Sequence, residues 1–331
     1  MKILVIGAYP SKENPAKGIF IRHQVEALRA CGLTVDVLPI YGGRGKKKYI
    51  DVARRLQQMI RSERYDLIHA HHVYAGILAR MQWKCPVVLT HHGSEVFAEG
   101  PVLTWMCKTI TRFVDGCIAV SEQCAQVLGT PTVVVIPCGV DMDRFKPIPQ
   151  TDARAELGFP ADRFYLLFTG EFDGTPKPMK RLDLIQEAAR ILQTRFPNVE
   201  ILNVQNQPNE RMPLFINAAD VLVLASESEG SPVIVKEAMA CNLPIVSVDV
   251  GDVANVIRGT DNCYLCDRTA QGIAQKCGLV LDRDDHRSNG RVHIQDLGLD
   301  RIAARLIEFY EACLAKKAAT GMRPASQSQN L

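Results

Sequence analysis

Residues 226 to 244 read Ser226-Glu-Ser-Glu-Gly-Ser-Pro-Val-Ile-Val-Lys-Glu-Ala-Met-Ala-Cys-Asn-Leu-Pro244, and the fold is read outward from them. The apolar run Val221 to Leu224 just upstream reads as a strand. Ser231 suits a helix N-cap and Pro232 the first helical position, where a missing N–H is harmless. The helix then runs to about Cys241, with Asn242 as a C-terminal stop and Pro244 beyond it. This is a βα unit whose unpaired amides, on Val233, Ile234 and Val235, offer the usual geometry for holding a phosphate. Glu229 lies in the loop before the helix. Glu237, on the second turn, is too deep to cap it, but its carboxylate can accept two hydrogen bonds from a ribose diol. The competing explanation is a merely solvated glutamate pair.

The same rhythm extends in both directions. Short β-type runs alternate with helical patterns, the signature of parallel sheets built from βαβ units. In the first half the runs are 2–6, 34–38, 67–70, 87–90, 117–120 and 132–136, with helical spacing over 20–30 and 49–61. In the second half they are 164–169, 199–204, 221–224, 245–248 and 263–265, with helical stretches over 182–194 and 232–241. Between the halves, residues 138–162 carry Pro147, Pro149, Gly158 and Pro160 and read as a linker. The expected class is α/β, with two Rossmann-like domains over residues 1–150 and 151–300 whose parallel sheets face an interdomain cleft. A C-terminal helix over 300–318 and a frayed tail over 319–331 complete the chain. Ligands of open parallel sheets bind beyond the carboxyl ends of the strands, so chemistry is sought there.

Bulk properties narrow the field. A chain of 331 residues with 47% hydrophobic and 23% charged residues is globular and long enough for two cores. Its apolar runs fall far short of the ~20 residues that span a bilayer. The short run after Lys2 reads as a first strand and not a signal peptide, which gives a cytoplasmic expectation. Eleven cysteines in mostly apolar contexts read as reduced thiols, and Cys263-Tyr-Leu-Cys266 lacks the second pair a zinc site needs. Between Gly42 and Arg64, eight basic residues (Arg44, Lys46, Lys47, Lys48, Arg54, Arg55, Arg61, Arg64) stand against two acidic ones. A solvated helix face explains this; so does attraction to an anionic membrane surface, which would place the protein peripherally at the inner face. Nucleic acid fits poorly, since no aromatics are interleaved for base stacking.

Glu229 and Glu237, separated by seven residues within Glu-Gly-Ser-Pro-x-x-x-Lys-Glu-Ala-Met-Ala-Cys, resemble the E-x7-E signature of the retaining glycosyltransferases of family 4, the group 1 glycosyltransferases with the GT-B fold. Met212-Pro213, Asn217-Ala-Ala-Asp220 and Asp249-Val-Gly-Asp-Val253 extend the resemblance. It implies that Glu237 binds the donor ribose, while Glu229 and the stretch Gly230, Ser231, Pro232, Val233 face the sugar and diphosphate. It also implies a basic pair on the phosphates. Lys180 fits one member; the place usually held by Arg after Gly170 is Glu171, so either Arg181 substitutes or the diphosphate is held differently.

The first half continues the likeness. Gly18, before Ile19-Phe20, resembles the family glycine whose loop contacts the donor phosphates; a bland turn glycine is the alternative. His92, in Thr90-His-His-Gly-Ser-Glu95, resembles the family histidine that approaches the transferred sugar, with Glu95 where Asp is usual. Pro137-Cys-Gly-Val-Asp141 resembles a Pro-Asn-Gly-Val-Asp segment. The cluster His69-Ala-His-His72 invites a metal, but no carboxylate or cysteine lies near in sequence to complete a set. Asp141-Met-Asp143 has metal-binding spacing but falls inside the Gly-Val-Asp segment and needs no metal there.

The implied activity is transfer of a sugar from a nucleotide-sugar donor, UDP-sugar being commonest and GDP-sugar occurring. The acceptor would be a glycan or lipid-linked molecule of surface polysaccharide synthesis. The helix N-terminus, Lys180 and the Gly18 loop would neutralise the leaving diphosphate, so no metal and no other cofactor is expected. Front-face attack is the family's favoured account, and double displacement through Glu229 is the alternative. Three rivals remain: a glycosidase using both glutamates, which a phosphate-directed helix fits poorly; a nucleotide-sugar epimerase; and a non-catalytic sugar-nucleotide-binding module.

Overall fold

The structure, a computed structural model, describes residues 1–11, 17–41, 47–97, 100–172, 175–205, 207–283, 285 and 287–319. The first sheet is formed by β1 (Lys2–Gly7), β2 (Thr34–Pro39), β3 (Leu67–His71), β4 (Val87–His91), β5 (Gly116–Ala119) and β6 (Val133–Val135), in the order β2-β1-β3-β4-β5-β6. A second sheet begins with β7 (Phe164–Phe168), which is followed by an antiparallel hairpin of β8 (Glu171–Phe172) and β9 (Thr175–Pro176). Its other strands are β10 (Val199–Asn203), β11 (Val221–Leu224), β12 (Ile245–Ser247) and β13 (Cys263–Leu265), in the order β10-β7-β11-β12-β13. All pairings within both large sheets are parallel. The α/β class with two parallel sheets is borne out.

Parallel sheets are covered on both faces, so their strands are near-continuous apolar runs. In β11, Val221 and Val223 enter one core with Ile185 and Val280, while Leu222 and Leu224 enter the other with Met239 and Ile245. The alternation is the period-2 geometry of a strand. The helix Leu182–Gln193 buries Ile185, Ala188, Ala189 and Leu192, the i, i+3, i+4, i+7 stripe of an amphipathic helix.

The chain divides into two compact units, Met1–Cys138 with the segment from Leu299 onward, and Gly139–Gly298. The division falls ahead of the expected 150/151 boundary because residues 140–154 are tied into the second unit. The Val140 N–H donates to Leu297 O at 2.9 Å, the Ile148 N–H to Asn217 Oδ1 at 2.9 Å, and Arg154 Nη2 to Asp220 Oδ2 at 2.8 Å. The terminal helix, Leu299–Ala319, joins the first unit. Its Arg305 donates to Val135 O at 2.8 Å, its Lys317 pairs with Asp115 at 3.1 Å, and its Tyr310 hydroxyl lies 2.7 Å from His69 Nδ1. The tail over 320–331 lies outside the described residues.

Candidate active site

In the second unit the chain leaves β7 for β10 on one side and returns to β11 on the other. That reversal is the switch point where open α/β sheets bind ligands beyond their strand ends. The loops after β7 and β11 meet there: the Glu227 N–H donates to Met179 O at 2.8 Å, and Lys180 Nζ donates to Glu229 Oε1 at 2.5 Å. The candidate phosphate cation and the candidate catalytic carboxylate are thus one ion pair. Arg181, the possible second cation, has left-handed backbone at φ 54° and turns its guanidinium to Asp183 at 2.8 Å and Glu227 at 3.6 Å. Glu171 begins the hairpin, and its side chain lies outside the described atoms.

The helix after β11 spans Val233–Ala240, one residue later than expected at its start, because Pro232, at φ −64° and ψ 115°, is the N-cap. Ser231 is therefore not the cap. Its hydroxyl donates instead to Asp252 Oδ2 at 2.7 Å. Val235 is also withdrawn from the expected anion site, since its N–H donates to Pro232 O at 3.2 Å, leaving Val233 and Ile234 as the first-turn donors. Gly230, Ser231 and Pro232 form the loop directly before that turn. Gly251, at φ +62°, lies so close to this loop that a Cβ would sit 2.6 Å from Gly230 O.

Glu237 follows in the second turn and is 7% exposed. Its carboxylate accepts no hydrogen bond from the described residues. Burial raises its pKa to about 7, against the pull of Arg144. A buried carboxylate without a donor is costly; two converging hydroxyls of a ligand would meet that need.

In the first unit, the corresponding reversal lies between β1 and β3. Gly18 caps the helix Ile19–Ala30 at φ 70° and accepts the N–H groups of Ile21 and Arg22 at 3.0 and 3.2 Å. A Cβ there would overlap the carbonyl of Ala8, so the glycine is required by its own chain before any ligand is considered. Gly18→Ala combines this overlap with a left-handed backbone that costs roughly 1–2 kcal/mol for other residues. The expected result is a drop of several degrees in melting temperature; an unchanged melt would contradict this account of the turn.

The histidines cluster at the ends of β3 and β4, paired in register. His92 Nε2 lies 2.9 Å from His71 Nδ1, and the His92 ring packs on Phe20 with centroids 4.8 Å apart. His69 Nε2 lies 2.7 Å from Thr90 Oγ1. Burial lowers all three: His69 to about 3, His92 to about 4 against the pull of Glu95, and His71 well below its ordinary value. They are neutral imidazoles at physiological pH. Burial pushes the Glu95 carboxyl up, but His91 at 3.5 Å, His72 at 3.7 Å and His92 outweigh this and hold it well below the usual range. Glu95 also accepts the His92 N–H at 3.0 Å, which fixes the loop carrying the candidate histidine. Among the described residues, no group of three or more His, Cys, Asp or Glu is placed to hold a metal ion.

Other sequence candidates have structural roles. Asp141 Oδ1 accepts the N–H groups of Asp143 and Arg144 at 3.2 and 3.0 Å, closing a turn. Cys263 and Cys266 are free thiols pushed up by burial to about 12 and about 11. Of the basic stretch, Arg44, Lys46 and the Lys47 side chain lie outside the described residues, whereas Arg54, Arg55, Arg61 and Arg64 are exposed. Sequence reasoning did not foresee that Lys236 and Asp252 bond the candidate residue Ser231, or that His71 lies against the candidate His92. A lysine next to Glu237 in the otherwise apolar run Val233-Ile-Val-Lys-Glu-Ala-Met-Ala240 was the signal available for the first.

Residues 13–144 match the model described as Glycosyltransferase Family 4, and residues 161–283 the model described as Glycosyl transferases group 1. A provisionally named teichuronic acid biosynthesis glycosyltransferase of Bacillus subtilis, TuaC, is 26% identical over 89% of this chain and 92% of its own. A D-inositol 3-phosphate glycosyltransferase of an Arthrobacter species is 26% identical over 92% of this chain and 83% of its own. Among solved structures, a sucrose-phosphate synthase from Thermosynechococcus elongatus aligns at TM-score 0.76 with 20% identity, covering 96% of this chain and 100% of that one. HepE from Anabaena, solved with UDP and glucose, aligns at TM-score 0.74 with 16% identity, covering 94% and 100%. With both sheets, the switch-point loops and both family models in agreement, the chain belongs to the family 4, group 1 glycosyltransferases of the GT-B fold.

Proposed function

We propose that this glycosyltransferase moves a sugar from a nucleotide donor, with retention of anomeric configuration and without a divalent metal, to a glycan or lipid-linked acceptor of surface polysaccharide synthesis. The observation that carries the reading is the largely buried Glu237, whose carboxylate accepts no hydrogen bond from the described residues, one turn beyond the amides of Val233 and Ile234, on the helix that follows the loop whose Glu229 pairs with Lys180. Glu237 accepts both ribose hydroxyls. The amides and Lys180 take the diphosphate and offset its growing charge as the glycosidic bond breaks. Gly18 serves the phosphate loop of the first unit, and neutral His92 contacts the transferred sugar. Arg181, held by Asp183 and Glu227, acts on the phosphates only if it leaves them.

A uridine donor is favoured, supported by the UDP and UDP-glucose named with HepE. Relatives named for teichuronic acid biosynthesis and for D-inositol 3-phosphate support a surface-polymer or small polyol acceptor. The test is incubation with UDP-, GDP- and ADP-sugars and a lipid extract in EDTA, following nucleoside diphosphate release and the product anomer by NMR. Acceptor-dependent release with the donor's anomer retained is expected. Conversion of donor without acceptor would favour the epimerase, and absence of any turnover the binding module.

We also propose peripheral contact with an anionic membrane at the cytoplasmic face. No described helix is long and apolar enough to cross a membrane. The helix Lys47–Ser62 instead presents Arg54 and Arg61 around a groove that includes Ile50 and Met81, which are 52% and 64% exposed. Each basic residue near such a surface contributes about 1 kcal/mol. Replacing Arg54, Arg55 and Arg61 by alanine should therefore weaken binding to phosphatidylserine vesicles by roughly 100-fold. Unchanged partition in a flotation assay would remove this contact.

A further inference from the structure

Three segments of the second unit converge on one buried ammonium. Lys236, 0% exposed within the helix Val233–Ala240, donates from Nζ to Ser231 Oγ at 2.9 Å and to Asp252 Oδ2 at 2.8 Å. The Ser231 hydroxyl, accepting from Lys236, donates to the same Asp252 oxygen at 2.7 Å. Both its donor and an acceptor site are thereby spent inside the protein. The triangle ties the loop before the helix, the helix itself and the loop after β12. A second, separate contact holds the same loops together, the close approach of Gly251 to Gly230 O.

From this geometry we infer that Ser231, Lys236 and Asp252 form a positioning strut for the diphosphate site, setting the Gly230–Pro232 loop and hence the aim of the Val233 and Ile234 amides. The inference rests on the donor-site reading above. It assigns a role to Lys236 and Asp252, and reassigns the Ser231 side chain from ligand contact to support.

Charge balance gives the strut a second duty. Asp252 is a carboxylate close to a helix N-terminus, where it would satisfy the helix dipole and repel a phosphate. Lys236 neutralises it from within, so the positive end of the helix stays available to an external anion. The ammonium does not itself reach the phosphate; its two hydrogen bonds to described residues both point to the strut. A lysine so buried is uncommon unless paired, and here the pairing is supplied by residues five and sixteen positions away.

The test compares how much the diphosphate adds to affinity, not affinity alone. Dissociation constants for UDP and uridine are measured by calorimetry on the full chain, with GDP and guanosine as a parallel pair, for wild type, Ser231→Ala and Lys236→Met. Retained melting transitions establish that each variant is folded, and Ser231→Ala removes one hydroxyl without leaving a buried charge. The expected result is a nucleoside affinity near the wild-type value with the diphosphate preference reduced roughly ten- to a hundredfold, the worth of about one charge-assisted hydrogen bond. Lys236→Met should show the larger loss, because the Asp252 charge then stands uncompensated. Folded variants that keep the wild-type preference would overturn the strut. A wild type that binds each nucleoside as tightly as its diphosphate would instead sink the donor-site reading, and this inference with it.

Discussion

Glu237→Gln weakens binding of the nucleoside diphosphate by roughly 10- to 100-fold, the expected difference when two hydrogen bonds to a carboxylate, each worth about 1.5–3 kcal/mol, are replaced by neutral ones worth about 0.5–1.5 kcal/mol. The size of the effect follows from the surroundings. Glu237 is 7% exposed as a residue, and its carboxylate accepts no hydrogen bond from described residues, so no neighbouring side chain substitutes for the ligand. Calorimetric titration of both proteins checks it; a change below about threefold would place the ribose elsewhere.

The same residue gives the reading a pH signature. Its pKa in the folded chain is raised from 4.5 to about 7, chiefly by burial. Between those values the folded state binds more protons than the unfolded one. Glu237 therefore contributes stability at low pH that is lost as pH rises through about 7. Ligand binding runs the other way, because a diol needs the ionised acceptor. Nucleotide affinity should rise roughly tenfold from pH 6 to pH 8 in the wild type and stay flat in Glu237→Gln. A fall in wild-type affinity over that range would contradict the assignment.

Asp220→Ala should cost about 3–5 kcal/mol, the usual range when one partner of a buried ion pair is deleted. Asp220 is 1% exposed and accepts from Arg154 Nη2 at 2.8 Å, the Tyr165 N–H at 2.6 Å and Gln150 Nε2 at 3.0 Å. Its loss strands a buried guanidinium and frees the segment that ties residues 150–154 to the second sheet. In urea the transition of the second unit should move down by roughly 1–3 M. Asp220→Asn, which keeps an acceptor, should lose less. A midpoint unchanged in Asp220→Ala would show that Arg154 finds another partner.

Most strands of both sheets were legible because runs such as Lys2–Gly7, Val87–His91 and Val221–Leu224 are rich in Val, Ile and Leu, and parallel burial makes such runs continuous. The hairpin of β8 and β9 was not, since pairs such as Glu171-Phe172 and Thr175-Pro176 are too short to show a period. Ser231 illustrates a different limit. Its sequence position suits an N-cap, but Lys236 and Asp252 claim its hydroxyl, and a partner twenty-one residues away leaves no local trace. The boundary at Cys138–Gly139 was hidden likewise, because prolines at 147 and 149 suggest a linker while Asn217 and Asp220 hold that segment in place. Glu229 and Glu237 could be picked out because a residue in the loop before a helix and one on that helix's second turn can flank one ligand, and because their spacing resembles the family's E-x7-E signature. Glu229's pairing with Lys180, forty-nine residues away, could be learned only from the fold.

Titration of UDP, GDP and ADP into the wild-type chain in EDTA, by calorimetry near pH 8, tests the central claim most directly. The account predicts that one of them binds with 1:1 stoichiometry and micromolar affinity without any divalent ion, UDP being the favoured one. Absence of binding by all three at millimolar concentration, or binding that appears only when magnesium or manganese is restored, would contradict it.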